Sequence, residues 1–158
     1  MPVASSARSA PNEVALLEKS YLKWKSAKKL CKESYTYTVS TYSFTGFQDV
    51  TEIVVRSGKV VQRSRIVYFP SSFACLEWVE TETNLNTHPE GAPAYTMDQL
   101  YQIARMILSK KITNNFEQRV FVLSSDGLLK SCYIYDTRIA DDTEINGVDI
   151  DTLTFVAR

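Results

Sequence analysis

The single histidine, His88, is the first residue to consider for chemistry. Any Ser–His or Cys–His mechanism of nucleophilic catalysis would have to use it as the base. It lies in Asn86-Thr87-His88-Pro89-Glu90-Gly91, a polar, turn-rich stretch that predicts a flexible loop. A general base must be held within hydrogen-bond reach of its substrate, which a flexible loop does poorly. We therefore expect a solvent-exposed loop histidine without a catalytic role.

The acidic segment from residue 136 to residue 151 is the main candidate for metal binding. Hard oxygen ligands, of which Ca²⁺ takes about six to eight, are offered by Asp136, Asp141, Asp142, Glu144, Asp149 and Asp151. The spacing is not that of an EF-hand loop, and Arg138 stands among the acids. Two of these carboxylates could form a glycosidase pair, but nothing in the spacing sets their separation. The sequence favours a solubilising turn, and calcium-dependent or hydrolytic activity ranks third among the functions considered.

Cysteines and glycines provide no cofactor motif. Cys31, Cys75 and Cys132 are far apart and form no CxxC pair, whereas a structural zinc site needs clustered ligands. We expect buried thiols, with one disulfide and a free cysteine as the alternative. The five glycines form neither GxGxxG nor a phosphate loop. The sequence therefore predicts no metal site, no cofactor and no enzyme.

Aromatic side chains are the remaining feature that could form a site. The chain contains nine Tyr, seven Phe and two Trp, many of them on predicted strands. Amphipathic rings on a curved sheet closed by helices are a common way to build a pocket for a small molecule. We predict ligand contacts from Trp24, Tyr35, Tyr37, Tyr133 and Tyr135. The alternative is an ordinary core with cross-strand aromatic pairs.

The elements that must position these rings follow from the apolar pattern. A period of three to four residues predicts an amphipathic helix from about residue 12 to residue 33, N-capped by Asn12. Thr96 and Gln99 form a capping box that opens a second helix. Both helices carry an apolar stripe that suits packing on a sheet.

Alternation predicts the strands. They cover about 35–44, 50–56, 59–68, 119–124, 128–135 and 148–156, with a bulge or sharp bend near Ser40-Thr41. Ser57-Gly58 and Asp126-Gly127 predict two-residue hairpin turns. Residues 73–79 fit either a short helix or a strand, and residues 81–93 predict a long loop. The resulting fold is α+β: an antiparallel sheet of five or six strands with two amphipathic helices on one face.

Composition limits the partners. Lys+Arg and Asp+Glu are 18 each, so the chain has no net charge and lacks the basic surplus of a nonspecific nucleic-acid binder. The same balance argues against polybasic attachment to anionic membranes. No apolar run is long enough for a membrane span. We expect residues 1–11 to be a flexible lead and 12–158 to form a single domain.

A family resemblance adds to this pattern. It is carried by Trp24, Tyr35, Tyr37, Val54-Val55, Gly58-Lys59-Val60, the run 95–101, Val122, Gly127, Ile134-Tyr135-Asp136 and Asp141-Asp142. In these residues and in the order of its elements the chain resembles the DUF6174 family of mostly bacterial extracytoplasmic domains, over roughly residues 20–155. It departs at Gly127-Leu128-Leu129, where the family usually has Gly-Tyr-Pro, and it lacks a cysteine pair after the first helix. The resemblance implies the fold and an exported location, and no known activity.

These observations predict a non-catalytic protein that binds an apolar or aromatic small molecule. The alternative is a protein-interaction module or homodimer without a small-molecule ligand, associating through a sheet edge or a cysteine. An internal cavity would favour the first, whereas an exposed apolar patch would favour the second.

Overall fold

The computed structural model describes residues 10–139 and 146–156. Its elements, in chain order, are α1 (Ala10–Leu30), β1 (Tyr35–Tyr42), β2 (Gln48–Arg56), β3 (Lys59–Tyr68), β4 (Ala74–Thr81), α2 (Met97–Ser109), β5 (Glu117–Leu123), β6 (Leu129–Asp136), β7 (Asn146–Asp149) and β8 (Thr152–Phe155). The predicted α+β class with antiparallel strands is confirmed. The strands form a five-stranded sheet, ordered β4-β3-β2-β1-β8, and a separate three-stranded sheet, ordered β5-β6-β7.

The chain divides into two compact units. The three-stranded unit contains the chain up to Ser26 together with Met97–Asp149. The five-stranded unit contains Ala27–Thr96 and the chain from Ile150 onward. Within the described residues, no helix is long and apolar enough to cross a membrane. The prediction of a single domain over 12–158 stays a prediction, and most of the predicted lead, residues 1–9, lies outside the described residues.

The five-stranded sheet has one buried face. Tyr35 and Tyr37 of β1 pair with Val55 and Ile53 of β2, and all four side chains are buried. Because successive side chains of a strand point to opposite faces, Thr36 and Thr38 lie on the other, half-buried face. Alternation in the sequence therefore placed Tyr35 and Tyr37 on a common face correctly.

Helix α2 organises the three-stranded unit. It packs against β6 and β7 through the stripe Met97, Leu100, Tyr101, Ala104, Ile107 and Leu108. The hydroxyl of Tyr101 lies 2.7 Å from that of Ser20 in α1 and accepts the backbone N–H of Leu129 at 3.0 Å. A buried tyrosine oxygen thus joins both helices to the start of β6.

Four local predictions were wrong. β1 pairs with β2 without a break to Tyr42, so no bulge lies near Ser40, and Tyr42 is an exposed residue of the opposite face. Asn12 lies inside α1, because the helix begins earlier, at Ala10. The predicted closing strand is divided into β7 and β8, one in each sheet. At the β5–β6 turn Gly127 does have positive φ, as predicted. However, the Gly127 N–H donates to the carbonyl of Ser124, so the loop is longer than two residues.

Candidate functional site

Strand β4 forms one edge of the five-stranded sheet. Its partner is β3, where Leu76 pairs with Ile66 and Val79 with Ser64. Ser64 and Ile66 are two residues apart and share a face. The register shift between Arg65 and Ile66 therefore brings Leu76 and Val79, which are three residues apart, onto that same face. Both are exposed, Leu76 by 58% and Val79 by 44%. The edge therefore presents apolar side chains beside its outer backbone groups.

An ion pair on the opposite face holds this strand in place. The guanidinium Nη1 of Arg63, in β3, donates to both carboxylate oxygens of Glu80, in β4, at 2.8 and 3.0 Å. The two side chains are only 2% and 0% exposed. Glu80 also accepts the backbone N–H groups of Asn86 and His88, each at 2.8 Å. A buried pair of this kind is stable only when its remaining hydrogen-bonding capacity is filled, and here it is.

The same arginine fixes the loop that follows β4. Arg63 Nε donates to the carbonyl of Ala92 at 2.7 Å, and Nη2 donates to that of Glu90 at 2.6 Å. The backbone N–H of Ala92 in turn donates to Thr51 Oγ1 on β2 at 2.9 Å. The long loop predicted over 81–93 is therefore pinned across the buried face of the sheet.

His88 is a member of this network. Its Nδ1 lies 2.8 Å from Glu80 Oε2, and its ring stacks on Trp78, with centroids 4.4 Å apart and planes 6° from parallel. The Arg63 guanidinium carbon lies 4.6 Å from the Trp78 ring centroid, within cation–π distance. The prediction of a flexible loop histidine was wrong, because the His88 ring is held by Glu80 and Trp78. Its side chain is nevertheless partly exposed. The contacts recorded for His88 are those of a packed, anchored ring.

The charge state of Glu80 follows from these contacts. Burial alone would raise the pKa of its carboxyl group, but hydrogen bonds from Arg63, His88 and the Asn86 backbone outweigh it and lower the pKa to about 2. Glu80 is therefore ionised at neutral pH, opposite a cationic arginine. The signal that sequence reasoning missed is alternation: Arg63 and Glu80 occupy strand positions whose side chains face the core.

Three of the five predicted ligand residues have buried side chains. Trp24 is fully buried in the three-stranded unit, where its indole N–H donates to Asp98 at 3.4 Å. Tyr35 and Tyr37 are buried in the five-stranded unit, where the Tyr37 hydroxyl donates to the carbonyl of Tyr95. Burial raises the pKa of Tyr37 well above its usual range, so it stays a neutral donor.

Tyr133 and Tyr135 lie together on β6 of the three-stranded unit. Their ring centroids are 6.3 Å apart, and both rings are partly exposed. Val120 and Val122 share their face, because Val120 pairs with Tyr133 and Val122 pairs two residues away with Ser131. The five predicted residues are thus divided between the two units, and a common cavity stays a prediction.

The acidic segment lies only partly within the described residues. Asp136 is paired with Arg138 at 2.6 Å, while Asp141 and Asp142 lie outside the described residues. Asp149 accepts the hydroxyl of Ser131, at 2.7 Å. No cluster of three or more His, Cys, Asp or Glu suited to a metal occurs in residues 10–139 and 146–156.

The cysteines are all unpaired thiols, and all three lie in described parts of the chain. Cys31 and Cys132 are buried, as expected, whereas Cys75 is partly exposed. Burial raises the pKa of Cys132 to about 12, which makes it a poor nucleophile.

Comparison of this chain with protein-family models, with curated proteins and with solved structures gives no match. The resemblance to the DUF6174 family stays a prediction.

Proposed function

We propose that the protein is a non-catalytic interaction module that binds a β-strand of a second copy of its own chain along the outer edge of β4. One observation carries the proposal: an eight-residue edge strand, fixed by a buried ion pair, exposes apolar side chains next to its outer backbone groups. Edge strands bind extended segments by main-chain hydrogen bonds, and neighbouring side chains supply the specificity. Rigid anchoring lowers the entropic cost of such binding.

The strand is complementary to itself. In an antiparallel pairing that sets Leu76 opposite Val79 of the second copy, the two exposed apolar residues meet twice on one face. The same register sets Glu77 opposite Trp78, so that no like charges face each other in the pair. A homodimer with this two-fold symmetry uses the same surface on both copies, as isologous dimers require.

The proposal is tested by sedimentation velocity over a wide range of protein concentration. The wild-type chain is expected to show a reversible monomer–dimer equilibrium. Val79→Lys places a charge on the edge, a device by which natural sheets resist pairing, and should yield monomer throughout. Thr154→Lys on β8 is the matched control and should dimerise like wild type. Wild type that stays monomeric at every concentration would refute the proposal.

A second candidate is the binding of an apolar or aromatic small molecule. Its support is the half-exposed platform of Tyr133, Tyr135, Val120 and Val122, which offers ring faces and a hydroxyl to a ligand. The test is native mass spectrometry of protein from its natural source. A ligand would appear as added mass that Tyr133→Ala and Tyr135→Ala reduce, and bare protein alone would count against the candidate. We also propose that the protein is exported, as the family resemblance implies.

A further inference from the structure

Two aromatic turns meet at one end of the five-stranded sheet. β1 and β2 are joined by the turn 43–47, and β3 and β4 by the turn 69–73. Because Gln48 of β2 pairs with Tyr68 of β3, the two turns lie at the same end. Their rings touch: Phe47 and Phe69 have centroids 5.2 Å apart, and Phe69 and Phe73 5.8 Å. We call this the aromatic end; it comprises Tyr42, Phe44, Phe47, Tyr68, Phe69 and Phe73.

The aromatic end is both exposed and uncharged. Phe44 is 87% exposed, Tyr42 66% and Phe73 63%. Residues 40–48 and 66–76 contain no Asp, Glu, Lys or Arg, although such residues make up 23% of the chain. A cluster of large exposed rings is the kind of surface patch that marks an interaction site. The lack of charged residues restricts the kind of partner that this patch could bind.

The backbone of both turns is partly satisfied from within. Ser43 N–H donates to the Phe47 carbonyl at 2.9 Å, and Gly46 N–H donates to the Ser43 carbonyl at 3.0 Å. In the second turn the N–H groups of Phe69 and Ser72 are bonded to the carbonyls of Phe73 and Phe69, respectively. Moving a peptide group out of water costs several kcal/mol when it lacks a partner, and these groups keep theirs. These internal bonds lower the cost of moving the turns out of water.

The first charged residues of the sheet lie directly next to the aromatic end. Asp49, next to Gln48, is paired with Arg65 at 2.6 Å. Asp151 accepts the hydroxyl of Ser40 at 2.7 Å, two residues below Tyr42. These charged residues limit how deeply the aromatic end could enter an apolar medium, so that only the two turns would leave water.

We propose that the aromatic end inserts into the interfacial region of a lipid bilayer whose headgroups carry no net charge. Aromatic rings concentrate at the level of the headgroups, where an apolar body and a polar tip are both accommodated. Attraction to anionic lipids requires clustered Lys or Arg near the surface, and these turns have neither. The six residues of the aromatic end lie outside β4, although Phe73 directly precedes it, so membrane binding and dimerisation are tested by separate measurements.

The experiment is flotation of the full chain with vesicles of pure phosphatidylcholine. Wild type should float with the vesicles, and the fraction bound should be unchanged by high salt or by added phosphatidylserine. The double variant Phe44→Ser/Phe73→Ser should bind at least about tenfold more weakly, from the lost burial of two rings. Leu22→Ser/Met106→Ser, which changes comparably exposed residues of α1 and α2, is the control and should bind like wild type.

A second variant, Phe44→Trp, places a fluorescent reporter in the aromatic end, so that its result does not depend on a loss of binding. In Phe44→Trp, vesicles of brominated phosphatidylcholine should quench the added tryptophan strongly, whereas the emission of wild type, from Trp24 and Trp78, should change little. No flotation of wild type, or binding that needs phosphatidylserine and falls with salt, would overturn the proposal. So would a wild-type dimer, seen without vesicles, that Phe44→Ser/Phe73→Ser dissociates, because the end would then bind protein.

Discussion

The two edges of the five-stranded sheet are built in opposite ways. β8 has four residues and pairs only with Tyr35–Thr38, and its Thr152 hydroxyl lies 2.6 Å from that of Thr38. β4 has eight residues, exposes Leu76 and Val79, and is fixed from behind by Arg63 and Glu80. Very short edge strands resist further pairing, while long edge strands that expose apolar side chains invite it. The proposed pairing along β4 depends on this contrast in length and in exposed apolar side chains.

The largest expected effect comes from the anchor of β4. Glu80→Gln leaves Arg63 buried without its charge partner and should lower the free energy of unfolding by about 3–5 kcal/mol. Urea denaturation followed by circular dichroism measures this. Glu77→Gln, an exposed change on the same strand, is the control and should cost at most about 0.5 kcal/mol. Equal effects of the two variants would show that the ion pair does not hold the strand.

The same carboxylate predicts a dependence on pH. The folded pKa of Glu80, about 2, lies below its ordinary value of 4.5. Its contribution to stability is therefore fully present above about pH 4.5 and is lost as pH falls toward 2. The difference in unfolding free energy between wild type and Glu80→Gln should shrink across that window. A difference that stays constant down to pH 2 would contradict the assignment.

A smaller effect on stability tests whether the loop that follows β4 is held in place by its contacts. Gly91 has φ of +82°, and a Cβ there would lie 2.7 Å from Thr51 Oγ1. Gly58 also has positive φ, but its Cβ would meet the end of the Glu33 side chain, which can move. Both alanine variants incur a backbone strain of about 1–2 kcal/mol, and Gly91→Ala should cost measurably more. Equal melting temperatures of the two variants would mean that the loop is not pinned.

The smallest effect on stability is expected at the open edge. Val79→Lys changes an exposed side chain and should alter the free energy of unfolding by no more than about 0.5 kcal/mol, while dimerisation is lost. Thermal unfolding of the variant at a concentration where it is monomeric checks this. A large loss of stability would show that Val79 serves the fold and not an interface.

Local patterns in the sequence predicted much of this architecture. The buried stripe of α2, the Ser57-Gly58 turn and the facing of Tyr35 and Tyr37 follow from periodicity and turn chemistry, which act over a few residues. The division into two sheets did not follow, because strand partners far apart in sequence are set by packing. β7 and β8 look like one alternating strand and separate only at Ile150-Asp151.

The candidate site was harder to predict for a related reason. His88 sits in a segment rich in turn residues, and its order comes from Glu80 and Arg63, which are eight and 25 residues away. A charged residue at a core-facing strand position was the available signal. Of the predicted ligand residues, Trp24, Tyr35 and Tyr37 were correctly placed on buried faces, but a pattern of aromatic residues does not distinguish core from pocket.

Amide hydrogen exchange along β4, measured at low and at high protein concentration, tests the central claim most directly. Residues 74–81 should gain protection at high concentration, because the outward N–H groups of one copy would bond carbonyls of the other, while β8 should exchange at the same rate in both samples. Exchange in β4 that does not depend on concentration, or protection that rises equally at both edges, would contradict an open edge that binds a second copy.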